Sequence, residues 1–273
     1  MSAEVVLGKG AAAEIALRGV SKTFHGARGG PVPVLHDVDF DAKPGEFVSV
    51  IGPSGCGKST LFKLIAGLEV ADAGSAELNG RPLDPKEHPV AYMPQKDLLL
   101  PWRSVLRNVT LPLQVASVPR AEAAERARSL FPRFGLEGFE EAYPYALSGG
   151  MRQRAALMRT VIQERPLMLL DEPFGALDSL TRTEMQEFLL DVWAEFGHTI
   201  VFITHDIREA IYLSDRIYVM TARPARVKME VVVDIPRPRP LDVIATPRFG
   251  QLEAELLLAL REENRQQEQE VTL

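Results

Sequence analysis

The chain has 273 residues, 46% of them apolar and 25% charged, a mix that excludes disordered, collagen-like and coiled-coil proteins and leaves one or two globular domains. With 31 Lys and Arg against 37 Asp and Glu the net charge is −6, so no whole-surface attraction to nucleic acid or anionic lipid is expected. The single cysteine, Cys56, excludes an internal disulfide and suits a reducing compartment, the cytoplasm by default.

Residues 1–10 include the acidic Glu4 and lack a basic start followed by an apolar run, so no secretory signal is expected. The run Phe47-Val48-Ser49-Val50-Ile51 reads as a buried strand, and a helix is predicted from Lys58. Residues 97–156 lack strong strands. Within them 121–134 places Ala124, Ala127, Leu130, Phe131 and Phe134 on one helical face, which predicts an inserted helical subdomain whose helix kinks or ends at Pro132. Further strands are predicted at 167–170, 199–203 and 216–220, with helices starting near Ser179 and at Ile207. This alternation is α/β with a largely parallel sheet. Pro236-Arg237-Pro238-Arg239-Pro240 predicts an extended linker that ends the core, because alternating prolines cannot donate ladder hydrogen bonds. A last helix is expected over 249–267, with a solvated, fraying tip from Arg261. The longest apolar stretches, such as 167–170 and 256–260, are far too short to span a bilayer.

Gly52-Pro53-Ser54-Gly55-Cys56-Gly57-Lys58-Ser59 matches G-x-x-x-x-G-K-[ST] and sits between a predicted strand and a predicted helix. Glycines let this backbone wrap closely around phosphates. Its N–H groups and the helix start through Thr60 then face the anion, Lys58 adds positive charge toward the β and γ phosphates, and Ser59 offers a hydroxyl to Mg²⁺. Cys56 reads as a small space-filler rather than a nucleophile. A second signal is the strand 167–170, which delivers Asp171 and Glu172 at its C-terminal end, where α/β sheets bind ligands. Asp171 is placed to hold Mg²⁺ and Glu172 to polarise a water for attack on the γ-phosphate. Alone, two such acids more often describe a helix N-cap than a catalytic pair; the upstream phosphate loop reverses that balance.

Leu147-Ser148-Gly149-Gly150 opens a helix, and Ser148 with the N–H groups of Gly149 and Gly150 forms a second anion site. With these residues the chain resembles the ATP-binding subunits of ABC transporters over about 15–234. The resemblance implies a P-loop NTPase core of ABC type with a mostly parallel sheet, an N-terminal antiparallel β part and the inserted helical subdomain. Its parts would be 14–96, 97–156 with the LSGG signature, 157–235, and a linker with C-terminal helix at 236–273. It further implies that Phe24 stacks on adenine, Gln95 senses Mg²⁺ and the attacking water, Asp178 makes a dimer contact, and His205 is the γ-phosphate switch. Taken singly, Phe24 reads as a core aromatic and His205 as a helix-capping residue.

A second phosphate-binding surface makes sense if it closes over the ATP of another copy, giving a head-to-tail dimer that traps two nucleotides. Met151-Arg152-Gln153-Arg154, Asp97-Leu98-Leu99-Leu100-Pro101-Trp102, Thr221-Ala222-Arg223-Pro224 and Ile235-Pro236-Arg237-Pro238-Arg239 resemble the nitrate, sulfonate and taurine importer group. Trp102 reads either as a core residue of the helical subdomain or as part of the groove that receives a permease helix. The implied protein is a cytoplasmic ATPase held on the membrane by integral permease subunits. It would drive uptake of a small anionic solute delivered by an extracytoplasmic binding protein, with ATP and Mg²⁺ and without nucleic acid. The rivals are an exporter or lipid-moving ATPase, a soluble ABC ATPase, and a nucleotide kinase, which would have no use for LSGG or His205.

Overall fold

The computed structural model describes residues 12–25, 29–87, 90–175 and 177–271; the segment 1–10, read above for a secretory signal, lies outside them. In chain order the strands are β1 (Ile15–His25), β2 (Pro31–Ala42), β3 (Phe47–Ile51), β4 (Ala73–Leu78), β5 (Arg81–Pro82), β6 (Val90–Met93), β7 (Leu167–Asp171), β8 (Thr199–Ile203), β9 (Arg216–Met220) and β10 (Val227–Val232). The longer helices are α1 (Lys58–Ile65), α2 (Val105–Val109), α3 (Leu111–Val115), α4 (Arg120–Leu130), α5 (Gly149–Val161), α6 (Ser179–Phe196), α7 (Ile207–Leu213) and α8 (Pro247–Val271). An antiparallel sheet runs β2-β1-β4-β5, and a six-stranded sheet runs β10-β9-β3-β8-β7-β6. The latter is parallel except for β10 at its edge.

Every residue of β3, β7, β8 and β9 is buried. Their side chains alternate between two apolar cores. Phe47, Met168, Leu170, Ile200, Phe202, Ile217 and Val219 join the core shared with the helical subdomain and α5 to α8. Val48, Val50, Leu167, Leu169, Val201 and Tyr218 join the one shared with the antiparallel sheet and α1. A sheet covered on both faces needs apolar residues at both parities, which is why these strands read as unbroken apolar runs.

Several sequence readings change. The helix within 121–134 ends at Leu130, with Phe131 as its C-cap, just ahead of Pro132 as expected, but its buried stripe shifts. Ala123, Ala127 and Leu130 form its buried stripe, while Phe131 and Phe134 reach the core from the turn beyond. Trp102 is 71% exposed, which removes the core reading of that residue.

The segment 236–240 is packed against the core rather than free. Arg239 is 5% exposed, and its guanidinium donates to the carbonyls of Ser214 (2.7 Å), Ile211 (2.9 Å) and Ile235 (3.0 Å). Arg237 lies 4.3 Å over the Trp193 ring and pairs with Asp215 at 2.8 Å. Two guanidinium groups thus supply the donors that the prolines lack. The last helix, α8, starts at Pro247 and continues to Val271, burying Phe249, Leu252 and Leu256 as a stripe. Within the stretch read as solvated, Arg261, Glu262, Asn264 and Arg265 are exposed, whereas Glu263 is 3% exposed and pairs with Lys228 at 2.7 Å. No helix among the described residues is long and apolar enough to cross a membrane.

Candidate active site

The loop between β3 and α1 is built by glycines where side chains cannot go. Gly57 has φ +134° and a Cβ there would lie 2.9 Å from Val34 Cγ1; a Cβ on Gly52 would lie 2.9 Å from Met220 Cβ. No side chain caps α1, so its first-turn N–H groups stay available at the positive end of the helix dipole. Lys58 is 7% exposed, and its ammonium donates to the loop's own carbonyls at Gly52 (2.8 Å) and Pro53 (2.9 Å). The positive charge therefore lies inside the curve of the loop. Cys56 is buried and burial pushes its thiol up, which agrees with a packing role and not with a nucleophile.

β7 carries Asp171 as its last residue, 5% exposed. Burial pushes its carboxyl up, against the hydrogen bond from Ser59 and with the repulsion from Glu172. Ser59 and Asp171, distant in sequence, are thus neighbours. Tyr92 on β6 donates its hydroxyl to Asp171 Oδ2 at 3.3 Å. Glu172 follows in the left-handed region at φ 46°, fixed by its N–H to the Ile203 carbonyl at 2.9 Å. Its Oε2 accepts from Gln95 Nε2 at 3.0 Å and contacts His205 Nδ1 at 3.2 Å. Lys58, Gln95, Glu172 and His205 lie beyond the C-terminal ends of β3, β6, β7 and β8, the edge at which parallel sheets present ligand sites.

The other candidates stand apart within the chain. Ser148 accepts the Met151 N–H at 3.2 Å as N-cap of α5, and a Cβ on Gly150 would meet Thr181 Cγ2 at 2.8 Å. Asp178 caps α6, accepting the Thr181 N–H at 3.1 Å and its hydroxyl at 2.8 Å. These bonds hold its carboxyl below the usual range. Phe24 is half-buried on β1 with the Lys22 ammonium 5.3 Å from its ring centroid. Among the described residues no hydrogen bond or ion pair ties Phe24, Ser148 or Asp178 to the Lys58–Glu172 group. A cavity of about 560 Å³ between α6, α7 and 236–240 is lined by none of the candidate residues.

Sequence reasoning misses three contacts. Tyr92 is a hydroxyl in an otherwise apolar strand, which is the signal that could have marked it. Glu209 is 5% exposed and accepts from Gln186 at 2.9 Å beneath the His205 turn; a carboxylate following Ile207 in an apolar helix is its signal. Arg223 donates to the Gly55 carbonyl at 2.5 Å, a long-range contact that its local motif does not disclose.

A family model described as ABC transporter matches residues 35–175. The chain is 44% identical over 216 residues, 79% of this chain and 80% of the other, to an uncharacterised ABC transporter ATP-binding protein of Methanocaldococcus jannaschii. It is 46% identical over 201 residues, 74% and 78% of the two chains, to the formylaminopyrimidine import ATP-binding protein ThiZ of Halalkalibacterium halodurans. With the aliphatic sulfonates import ATP-binding protein SsuB of Cupriavidus pinatubonensis it shares 44% over 224 residues, 82% and 71% of the two chains. A solved ATP-binding cassette, dimeric in a post-hydrolysis state with ADP and Pi, superposes with a TM-score of 0.71 at 31% identity, over 81% of this chain and all of the other. The fold, the loop that encloses Lys58 and the carboxylates brought to the same sheet edge agree with these likenesses, and the chain belongs to the ABC transporter family as one of its ATP-binding, ATP-hydrolysing subunits.

Proposed function

We propose that this ATPase powers an importer, working as a head-to-tail dimer on the cytoplasmic face of integral permease subunits to take up a small anionic solute of the nitrate, sulfonate or taurine type. The observation that carries the chemistry is the Glu172 carboxylate held between Gln95 and His205 beside the phosphate loop. Relatives named for import support the direction, and the sulfonate relatives support the solute class. Exposed Leu98 and Trp102 suit the groove that meets a permease helix, and the dimeric cassette supports pairing of two copies.

In this reading Phe24 stacks on adenine, and the loop from Gly52 to Thr60 with Lys58 holds the β and γ phosphates. Glu172 takes the proton of the attacking water as its oxygen bonds to the γ-phosphorus. The bond to the β–γ bridging oxygen breaks, and that oxygen leaves with ADP. Gln95 and His205 orient the carboxylate through their shared bond to Oε2. Ser148, Gly149, Gly150 and Asp178 act on the nucleotide of the second copy.

The donors fit Mg²⁺: the Ser59 hydroxyl and the Asp171 carboxylate are hard oxygens on neighbouring side chains. No cluster of three or more His, Cys, Asp or Glu is found among the described residues. That suits an ion held by one or two carboxylates together with substrate phosphates. Ser59, Asp171 and Gln95 would hold it, and when bound it offsets charge on the phosphate oxygens.

The test is to trap tagged Glu172→Gln with MgATP in cells of its source, extract the membranes gently, and identify what co-purifies by mass spectrometry. A polytopic permease supports the reading, and its binding protein is then screened for solutes. Recovery from the soluble fraction with nucleic acid or ribosomes overturns it.

A further inference from the structure

The stretch Thr221-Ala222-Arg223-Pro224, which the reaction leaves unused, forms the turn between β9 and β10. The Thr221 N–H donates to the Arg226 carbonyl at 2.9 Å and the Arg226 N–H to the Thr221 hydroxyl at 2.9 Å, which closes the turn. Arg223 leaves it to donate to the Gly55 carbonyl at 2.5 Å. Gly55 O and the Cys56 N–H belong to one peptide plane, and that N–H donates to the Pro53 carbonyl at 3.3 Å. The plane is therefore tied on both sides.

The turn is in its own right held by α8. Glu263 accepts the Ala222 N–H at 3.0 Å on one oxygen and pairs with Lys228 at 2.7 Å on the other. At 3% exposure a carboxylate needs both partners, because water does not replace them. Leu260 and Asn264, on the same helix, line a cavity of about 310 Å³ with Gly52, Pro53, Ser54 and His205. A second strut runs from the Ala225 N–H to the Val34 carbonyl at 2.8 Å, and Val34 is the residue whose side chain confines Gly57.

We infer that Arg223 and Glu263 are positioning residues for the phosphate loop, through which the C-terminal helix sets the affinity for nucleotide. Lys58 must loosen its bonds to Gly52 and Pro53 when it meets phosphates. Arg223 grips the outward carbonyl of Gly55 and keeps its bond throughout. A loop held in its bound shape loses less freedom on binding, so the strut acts on affinity and not on the proton transfer. The inference rests on the reading of residues 52–60 as the phosphate site.

The experiment uses the full chain and MgATP, measuring Kd by equilibrium dialysis, KM and kcat by phosphate release, and unfolding midpoints. Arg223 is exposed, so Arg223→Gln is expected to fold normally and to raise Kd and KM about fivefold, the scale of one charge-assisted hydrogen bond at a surface. The same variant should keep kcat within about twofold, since the Glu172 group is untouched. Arg223→Lys should restore most of the loss. Glu263→Gln should raise Kd in the same direction, and the double variant should be no worse than the larger single, because both act through one turn.

An unchanged Kd in Arg223→Gln, a fall in kcat at unchanged KM, or fully multiplicative effects in the double variant would overturn the strut. If Glu263→Gln does not fold, the Arg223 pair decides alone. Lys58→Ala separates the two levels. Normal ATP binding by it overturns the phosphate-site reading, whereas lost binding with a wild-type-like Arg223→Gln overturns only the strut.

Discussion

Replacing Glu172 by Gln separates shape from proton transfer. One oxygen, Oε2, serves both Gln95 Nε2 at 3.0 Å and His205 Nδ1 at 3.2 Å, and an amide oxygen can keep both contacts. The side chain is 20% exposed, so the added NH₂ can find water and does not force the loop to move. Asp171 does not take over the lost function, since it is 5% exposed and already accepts from Tyr92. On the role proposed for Glu172, the variant keeps the ground state and loses a general base, worth about 10²–10⁴ in rate, or about 3–5 kcal/mol of barrier. Phosphate release at saturating MgATP should fall at least about a hundredfold while the Kd for ATP stays within about threefold. A kcat within about tenfold of wild type would remove Glu172 from the proton transfer. A matching loss of Kd would instead show that the carboxylate shapes the loop.

Lys58→Ala removes the ammonium inside the phosphate loop and leaves the Gly52 and Pro53 carbonyls facing one another, so ATP binding measured by equilibrium dialysis should be lost. Asp171→Asn should abolish Mg²⁺-dependent turnover yet stabilise the fold at neutral pH. The folded carboxyl titrates above its ordinary 3.8 because of burial, so the native state binds that proton more tightly than the unfolded chain does. Its contribution is thus favourable below that value and declines as pH rises through the folded pKa. Denaturant midpoints from acid to neutral pH should show a weaker decline in the variant than in wild type. Arg239→Met should destabilise by about 3 kcal/mol or more, since the carbonyls of Ile211, Ser214 and Ile235 lose a buried charged donor; urea unfolding measures it.

The phosphate loop, the central strands and the carboxylate pair are legible in sequence because their signals are local. Each is a fixed spacing within one strand or one turn. Gln95 and His205 are legible only through resemblance, since nothing near them in sequence announces that they converge on Glu172. Contacts that join distant segments do not show. Arg239 reads as part of a proline-rich linker until its carbonyl partners at the end of α7 and in the segment after β10 are known, and Glu263 reads as one more charge in a polar tail. The early end of α4 was signalled by Pro132, but the burial of Phe131 and Phe134 beyond that end depends on neighbours in α6, among them Phe188 stacked edge-on against Phe134. Trp102 carries no local mark that separates core from surface.

The order of the large sheet puts β8 between the strand that leads into the phosphate loop and the strand that delivers Asp171 and Glu172. At about 4.8 Å per strand the two stand on rails about 10 Å apart, with His205 at the top of the rail between them. Side chains reaching in from both rails narrow that distance, so that Ser59 comes beside Asp171 while Glu172 rests against His205. That spacing belongs to the threading of the chain: substitutions at Lys58 or Glu172 change the charge carried at the rails, but only a re-ordered sheet would change how far apart the rails stand.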